Sequence, residues 1–459
     1  MRYSAASVME IVPGPDRPAA DGAAQRVVSR WEIVALSLND VIGSGVYLLP
    51  AAAAVLGPAS PLAVVFAGFA VLLVVLCFAE AASRFDGPGG AYLYARAAWG
   101  DFVGFEVGWM TFLTRVATLA SLSVGLAQVL GFVWPAARAG AVRAAAIAVP
   151  LLLLTAVNVR GVKAGARTAA GLLLAKLVPL LAFVVLGLPA VTRERLFAPA
   201  PGTARLGEVA LLLLFAYAGF ENTAAAAGEF RDPKKDVPFA LLAQIGFVTL
   251  LYTLVQVVAQ GTLAGITSSS APLADAGRAF LGVSGGLLLT AGAVASILGS
   301  IGSTVLSGPR YLYALAADGF GPSVLSRRHR TWGTPAAAIL TQTVLVLPLA
   351  LTGTFVGLAS LSVVARLATY LSTALALPVL RRKLPERTAA LRLPGGLLVP
   401  AGAVAVCLFL LGSATRADLL GGAVGLGAGV VVFLARRPTL RSGVRSTGKA
   451  EGRAGPEGP

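Results

Sequence analysis

Apolar runs of about 20 residues recur along the whole chain, each long enough for a helix across a bilayer core of about 30 Å. In lipid every backbone N–H and C=O needs a partner from the chain itself, so runs of this kind permit helices and little else. Of the 459 residues, 57% are hydrophobic and 13% charged, about half the charged share of a soluble globular chain. Hydropathy and helix breakers predict spans near 31–57, 61–82, 101–133, 143–160, 168–189 and 208–228. Six more follow near 238–262, 280–316, 335–352, 355–380, 394–414 and 417–435. The fold class expected is an all-α polytopic membrane protein with twelve transmembrane helices.

A net charge of +16 raises the question of nucleic acid binding, and its distribution answers it. With both ends on one side of twelve spans, the tails and loops on that side hold 27 of the 37 Lys and Arg, against 7 in the opposite loops. That split is the positive-inside signature. The charge sets topology, with N- and C-termini cytosolic and the chain in the cytoplasmic membrane; the partner it implies is the lipid bilayer, with no nucleic acid. Residues 1–30 carry Arg2, Arg17, Arg26 and Arg30 with three prolines and no apolar core, so they predict a cytosolic tail instead of a cleaved signal. Residues 436–459 predict a second cytosolic tail, basic and Gly-rich.

Catalysis and metal chemistry find few residues to use. Cys77 and Cys407 both sit in apolar spans, which predicts neither a disulfide framework nor a metal cluster. His329 is the only histidine and falls in the basic loop "SRRHR". An intramembrane serine protease needs a histidine in a span, and no HExxH is present for a zinc protease. One His, two Cys and three Met leave few soft ligands for a transition-metal carrier. The chain is expected not to be an enzyme, and to need no cofactor or metal.

Two spans are weakened in the middle. In "LNDVIGSGVYLLP", Gly43-Ser44-Gly45 puts poor helix formers at membrane depth beside Asp40. In "FAYAGFEN", Phe215 to Asn222, Gly219 lies between aromatics and is followed by Glu221. Paired interruptions in corresponding spans of two halves point to a transporter site near the midplane. Non-helical backbone survives at that depth only when buried in protein or lining a wet cavity. Freed N–H groups suit a carboxylate, and freed carbonyls an ammonium. The other reading of the first stretch, a small-residue packing seam, does not account for the second. Spans one to five, residues 31–189, and spans six to ten, residues 208–380, each number five, so the halves must be inverted relative to each other. Residues 394–435 add helices eleven and twelve.

At these residues the sequence resembles the amino acid permeases of the amino acid–polyamine–organocation superfamily. "GSGVYLLP" resembles the first-helix signature, and "DGPGGAYLYARAAWG" and "NVRGVKAGAR" resemble two cytosolic loops. "FAYAGFENTAAAAGEFRDPKKDVP" resembles the sixth helix and its exit, and "GPRYLYALAADGFGP" with "WGTP" the eighth helix and its loop. The resemblance implies a leucine-transporter-like 5+5 inverted repeat and a permease moving an amino acid by alternating access, coupled to protons or by exchange. By that analogy Gly43 sits in the first break and the N–H groups of Ser44 and Gly45 hold the substrate carboxylate. Carbonyls near Val41, Phe215 and Ala218 hold the ammonium beside Gly219, with Phe215 as an aromatic lid. Glu221 falls where related antiporters carry a glutamate proposed to sense protons. Thr304 falls where arginine/agmatine members place a tryptophan, which counts against an arginine substrate. A carrier of another amine or organic cation, and a non-transporting amino acid sensor, remain open as alternatives.

Charges inside spans are costly and default to function. Lys176 lies about nine residues into span five, roughly 13 Å at 1.5 Å per residue, too deep for easy snorkelling. By resemblance it takes the place of sodium among spans one, five and eight. Arg115 on span three either recognises an acidic side chain or pairs with Glu106 or another intramembrane acid. Arg366 on span ten is similar, with Glu221 as a candidate partner. Asp40 caps the first half-helix or contacts substrate, and Glu229 orders the end of helix six.

Overall fold

The computed structural model describes residues 30–85, 89–161, 166–199, 206–225, 232–384 and 391–435. The tails on either side, and Glu229, lie outside the described residues. Among the described residues the fold is helical, with no strand. α1 (Arg30–Val41), α2 (Gly45–Leu48) and α3 (Pro50–Ala53) lead through a 3₁₀ turn at Ala54–Ala59 into α4 (Ser60–Ala82). α5 (Ala91–Trp99), α6 (Asp101–Leu130), α7 (Gly140–Arg160) and α8 (Ala166–Gly187) complete the first half. α9 (Leu206–Tyr217) and α10 (Glu221–Ala225) open the second, followed by α11 (Pro233–Thr262), α12 (Pro272–Ala317), α13 (Ala336–Thr352) and α14 (Phe355–Lys383). α15 (Leu398–Gly412) and α16 (Arg416–Ala435) end the described chain.

Eight of the helical stretches are long and apolar enough to cross a membrane, while α9, α13 and α15 are shorter apolar helices. Both expected breaks are present, one span starts earlier than expected, and a glycine stands at each of these points. The span expected at 31–57 is interrupted at residues 42–44, and its far end runs almost directly into α4 across a turn where Gly57 adopts φ 56°. The span expected at 208–228 divides into α9 and α10. The span expected at 280–316 begins earlier, because α12 starts at Pro272 and bends at Gly282, φ 69°. Glycine takes these positive φ values without the penalty that a Cβ brings.

α6 occupies the centre, in contact with α7, α12, α13, α14 and α16, and 78% of its most apolar stretch is buried against 11% for α16. On α16, Leu420, Val424, Val431 and Leu434 are 65–73% exposed, the surface that hydrocarbon would cover. α4 packs on α11, α8 on α12, α1 on α11, and α9 on α4 and α14.

One end of the assembly is held by a buried ion cluster. Glu80 on α4 is fully buried and receives Arg84 at 2.9 Å, Arg381 of α14 at 2.7 Å and the backbone N–H of Leu393 at 3.0 Å. Removing one member of a buried pair strands the others' charge, at about 3–5 kcal/mol. Glu80→Ala therefore lowers the melting temperature of the detergent-purified protein by several degrees. Arg96→Ala costs under about 1 kcal/mol, because its partners Asp101 and Asp318 are 53% and 25% exposed.

Candidate functional site

The two interruptions meet. α1 closes with Ile42 N–H on Leu38 O, residues 42–44 leave the helix, and α2 restarts at Gly45. α9 ends at Tyr217, Gly219 takes φ 126°, and α10 restarts at Glu221. A Cβ on Gly219 would lie 2.6 Å from the Asp40 carbonyl oxygen, and one on Gly45 would lie 2.6 Å from the Ala216 Cα. Each break thus has a glycine pressed on the backbone of the other, a spacing that a side chain would not allow.

Backbone accounting shows what the breaks leave open. The carbonyls freed at the end of α1 are taken by side chains from three helices. Asn39 O accepts from Lys176 Nζ at 2.8 Å, Val41 O from Tyr252 Oη at 3.3 Å, and Ile42 O from Ser296 Oγ at 3.1 Å. Tyr252 also reaches Ala216 O, at 3.2 Å, so one hydroxyl serves both breaks. The N–H groups of Gly43, Ser44, Gly45 and Val46, by contrast, donate to nothing among the described residues. Buried backbone donors left unpaired are rare and call for a ligand or water.

Gly43, Ser44 and Gly45 line a cavity of about 40 Å³. Val41, Gly43, Ser44, Gly45, Phe215, Ala218, Gly219 and Thr304 all line it, as do Asp40 and Arg115. Phe215 meets Phe355 edge-on at 5.8 Å. Lys176 and Glu221 sit behind this wall, 0% and 5% exposed. Lys176 is fully buried with its ammonium on α1, so it does not snorkel.

Glu221 gathers the charges. Its Oε1 accepts from Arg115 Nη2 at 3.1 Å and Arg366 Nη1 at 2.5 Å; its Oε2 accepts from Tyr370 Oη at 3.0 Å and Gly219 N–H at 3.1 Å. Arg115 also bonds the Asn222 side chain. Glu106 is not its partner. Nine residues at 100° each put the two on opposite faces of α6, and the Glu106 carboxylate packs toward Gly429 and Trp109 instead. Asp40 accepts from Ser303 Oγ at 3.0 Å, so its side chain turns to α12 instead of capping α1. Cys77 and Cys407 are buried free thiols, and His329 stacks on Trp332 in the loop before α13.

On the α12 wall, sequence reasoning named Thr304 but missed its two serines. Ser300 and Ser303 line the cavity along with Thr118, Leu122, Asn222 and Arg366. Serines at 296, 300, 303 and 307 repeat at helical spacing, a signal that was available.

A family model described as amino acid permease matches residues 28–425. The chain is 26% identical to the methylthioribose transporter of Bacillus subtilis over 429 residues, 89% of this chain and 92% of the relative. It is 27% identical to the branched-chain amino acid permease BcaP of that organism, over 84% of this chain and 88% of the relative. To its serine/threonine exchanger SteT the identity is 26%, over 88% and 93%.

The interlock makes a direct prediction. Gly45→Ala and Gly219→Ala each force backbone apart and destabilise by about 1–3 kcal/mol, seen as a lowered melting temperature. Gly246→Ala, which meets nothing within 4 Å, leaves it unchanged or raises it slightly.

Proposed function

The chain belongs to the amino acid permease family, and we propose that it is a secondary transporter moving an amino acid across the cytoplasmic membrane by alternating access. The observation that carries this reading is the cavity at the two interlocked breaks, with the unpaired N–H groups of Gly43, Ser44 and Gly45 on one wall. A carboxylate is the ligand group that accepts several such donors at once. We assign the substrate carboxylate to Ser44 and Gly45 N–H. The ammonium goes to the remaining lone pair of Val41 O and the carbonyls of Phe215 and Ala218, since each carbonyl oxygen can accept twice. Phe215 closes over the site.

The proposed architecture is twelve spans, five plus five inverted and two extra, with both tails cytosolic. The eight long helices, the three shorter apolar ones and α1 joined to α2 supply that count. The packing supports the repeat. Exchanging α1, α4, α6, α7 and α8 with α9, α11, α12, α13 and α14 turns most contacts into other observed contacts, α11 on α12 and α1 on α12 being exceptions. α8 on α12 becomes α14 on α6, α1 on α11 becomes α9 on α4, and α6 on α13 becomes α12 on α7. α15 and α16 pack outside, on α4, α6 and α14.

Lys176 is proposed to stand where a coupling sodium would sit, and the hold of its ammonium on Asn39 O supports this. Glu221 joins α10 to α6 and α14 through Arg115 and Arg366, so a rocking motion of the broken helices has to work against this ion network. Coupling is then to protons or to a second substrate. One observation favours a second reading, transport of another amine: the Asp40 carboxylate in the cavity wall offers a further cation partner.

Proteoliposome uptake of a labelled amino acid panel, with pH and sodium gradients imposed separately, tests the proposal. Uptake that proceeds without sodium is expected, and uptake that requires sodium and ignores pH overturns the role of Lys176. No uptake of any amino acid or amine overturns the function. Lys176→Met, which leaves Asn39 O without its charged donor, lowers uptake at least about tenfold, as expected for a lost charged hydrogen bond of roughly 1.5–3 kcal/mol.

A further inference from the structure

The breaks account for the two ends common to all amino acids, and the rest of the cavity wall bears on the side chain. That wall is mostly polar, and most of its polar atoms are already engaged. Arg115 and Arg366 both bond Glu221, and Arg115 also bonds Asn222. Thr304 Oγ1 donates to Ser300 O at 2.7 Å, within its own helix. Ser303 donates to Asp40.

Two hydroxyls are left over. Ser44 and Ser300 line the cavity, are 1% and 8% exposed, and their Oγ atoms have no hydrogen-bond partner. Ser44 stands on the first break, where the substrate carboxylate is assigned. Ser300 stands on α12, with its Oγ 3.4 Å from where a Cβ of Gly43 would be. Asp40, bonded through one carboxylate oxygen to Ser303, keeps acceptor capacity, since an ionised carboxylate has about four lone-pair sites. The wall beside the break therefore presents an unused hydroxyl and an acceptor-rich carboxylate. A ligand hydroxyl is the small group that can accept from the first while donating to the second.

Building on the amino acid reading above, we infer that the substrate carries a short hydroxylated side chain, selected by Ser300 together with the Asp40–Ser303 pair. An aliphatic side chain in this place leaves the Ser300 hydroxyl unpaired and excludes the water that would otherwise satisfy it. Sites built around a substrate hydroxyl discriminate by this penalty.

The test is saturation of uptake into proteoliposomes by L-serine, L-alanine, L-valine, L-leucine and L-aspartate in turn, with wild type and Ser300→Ala. Serine is expected to be preferred over each of the other four by at least about tenfold, and Ser300→Ala to narrow the serine-to-alanine ratio at least about fivefold. Because the second readout is a ratio within one variant, a lower yield of folded protein does not move it. A wild type that carries any of the other four as well as serine overturns the inference and leaves the amino acid reading standing. An unchanged ratio in Ser300→Ala also overturns it. A wild type that carries none of the five overturns this inference, while the amino acid reading falls only if the full panel of amino acids and amines also shows no uptake.

Discussion

The structure depends on a contact between two pieces of non-helical backbone at membrane depth. Gly219 rests on the Asp40 carbonyl and Gly45 on Ala216. A broken helix alone in lipid would leave polar groups with no partner, each costing several kcal/mol. Here each break shields the other, and Tyr252 donates to both. The contact exists because both positions are glycine. A Cβ at either would hold the two backbones apart and open the carbonyls that now pack together.

Around this contact, the buried charges fall into two groups with different physical roles. Glu221 has four donors, three side chains from two helices and one backbone amide, an arrangement in which removing either cation leaves the carboxylate undercompensated. The Lys176 ammonium donates to the Asn39 carbonyl. It acts on one strand of backbone, the last turn before the first break. The first group fixes how the second broken helix sits against α6 and α14, and the second holds the first broken helix to α8. Asp40 lies in the cavity wall and also bonds Ser303 of α12.

Much of this was legible in the sequence, and the reasons are physical. Lipid removes most alternatives to helix, so apolar runs and glycine interruptions locate the helices and both breaks with little ambiguity. The residues expected at the site, from Val41 to Thr304, line one cavity because their backbone, which any side chain shares, is what forms it. What the sequence left open was side-chain pairing across helices. Arg115 had several acids to choose from, and only the facing of α6 separates Glu221 from Glu106. Ser300 and Ser303 passed unnoticed because serine is ordinary in membrane helices, where its hydroxyl is usually satisfied by its own backbone. Which serine lacks that partner is a fact of three dimensions. The early start of α12 was missed because Asp275 and Arg278 make the stretch before Gly282 read as a loop.

The central claim is that the N–H groups freed at Gly43–Val46 bind the substrate. Hydrogen–deuterium exchange of the protein in lipid nanodiscs, with and without a transported amino acid, tests it at those amides. The account predicts slowed exchange in a peptide covering residues 42–49 when substrate is added, with a parallel change across 215–223. Unchanged exchange at 42–49 under conditions where the same amino acid is transported would contradict it.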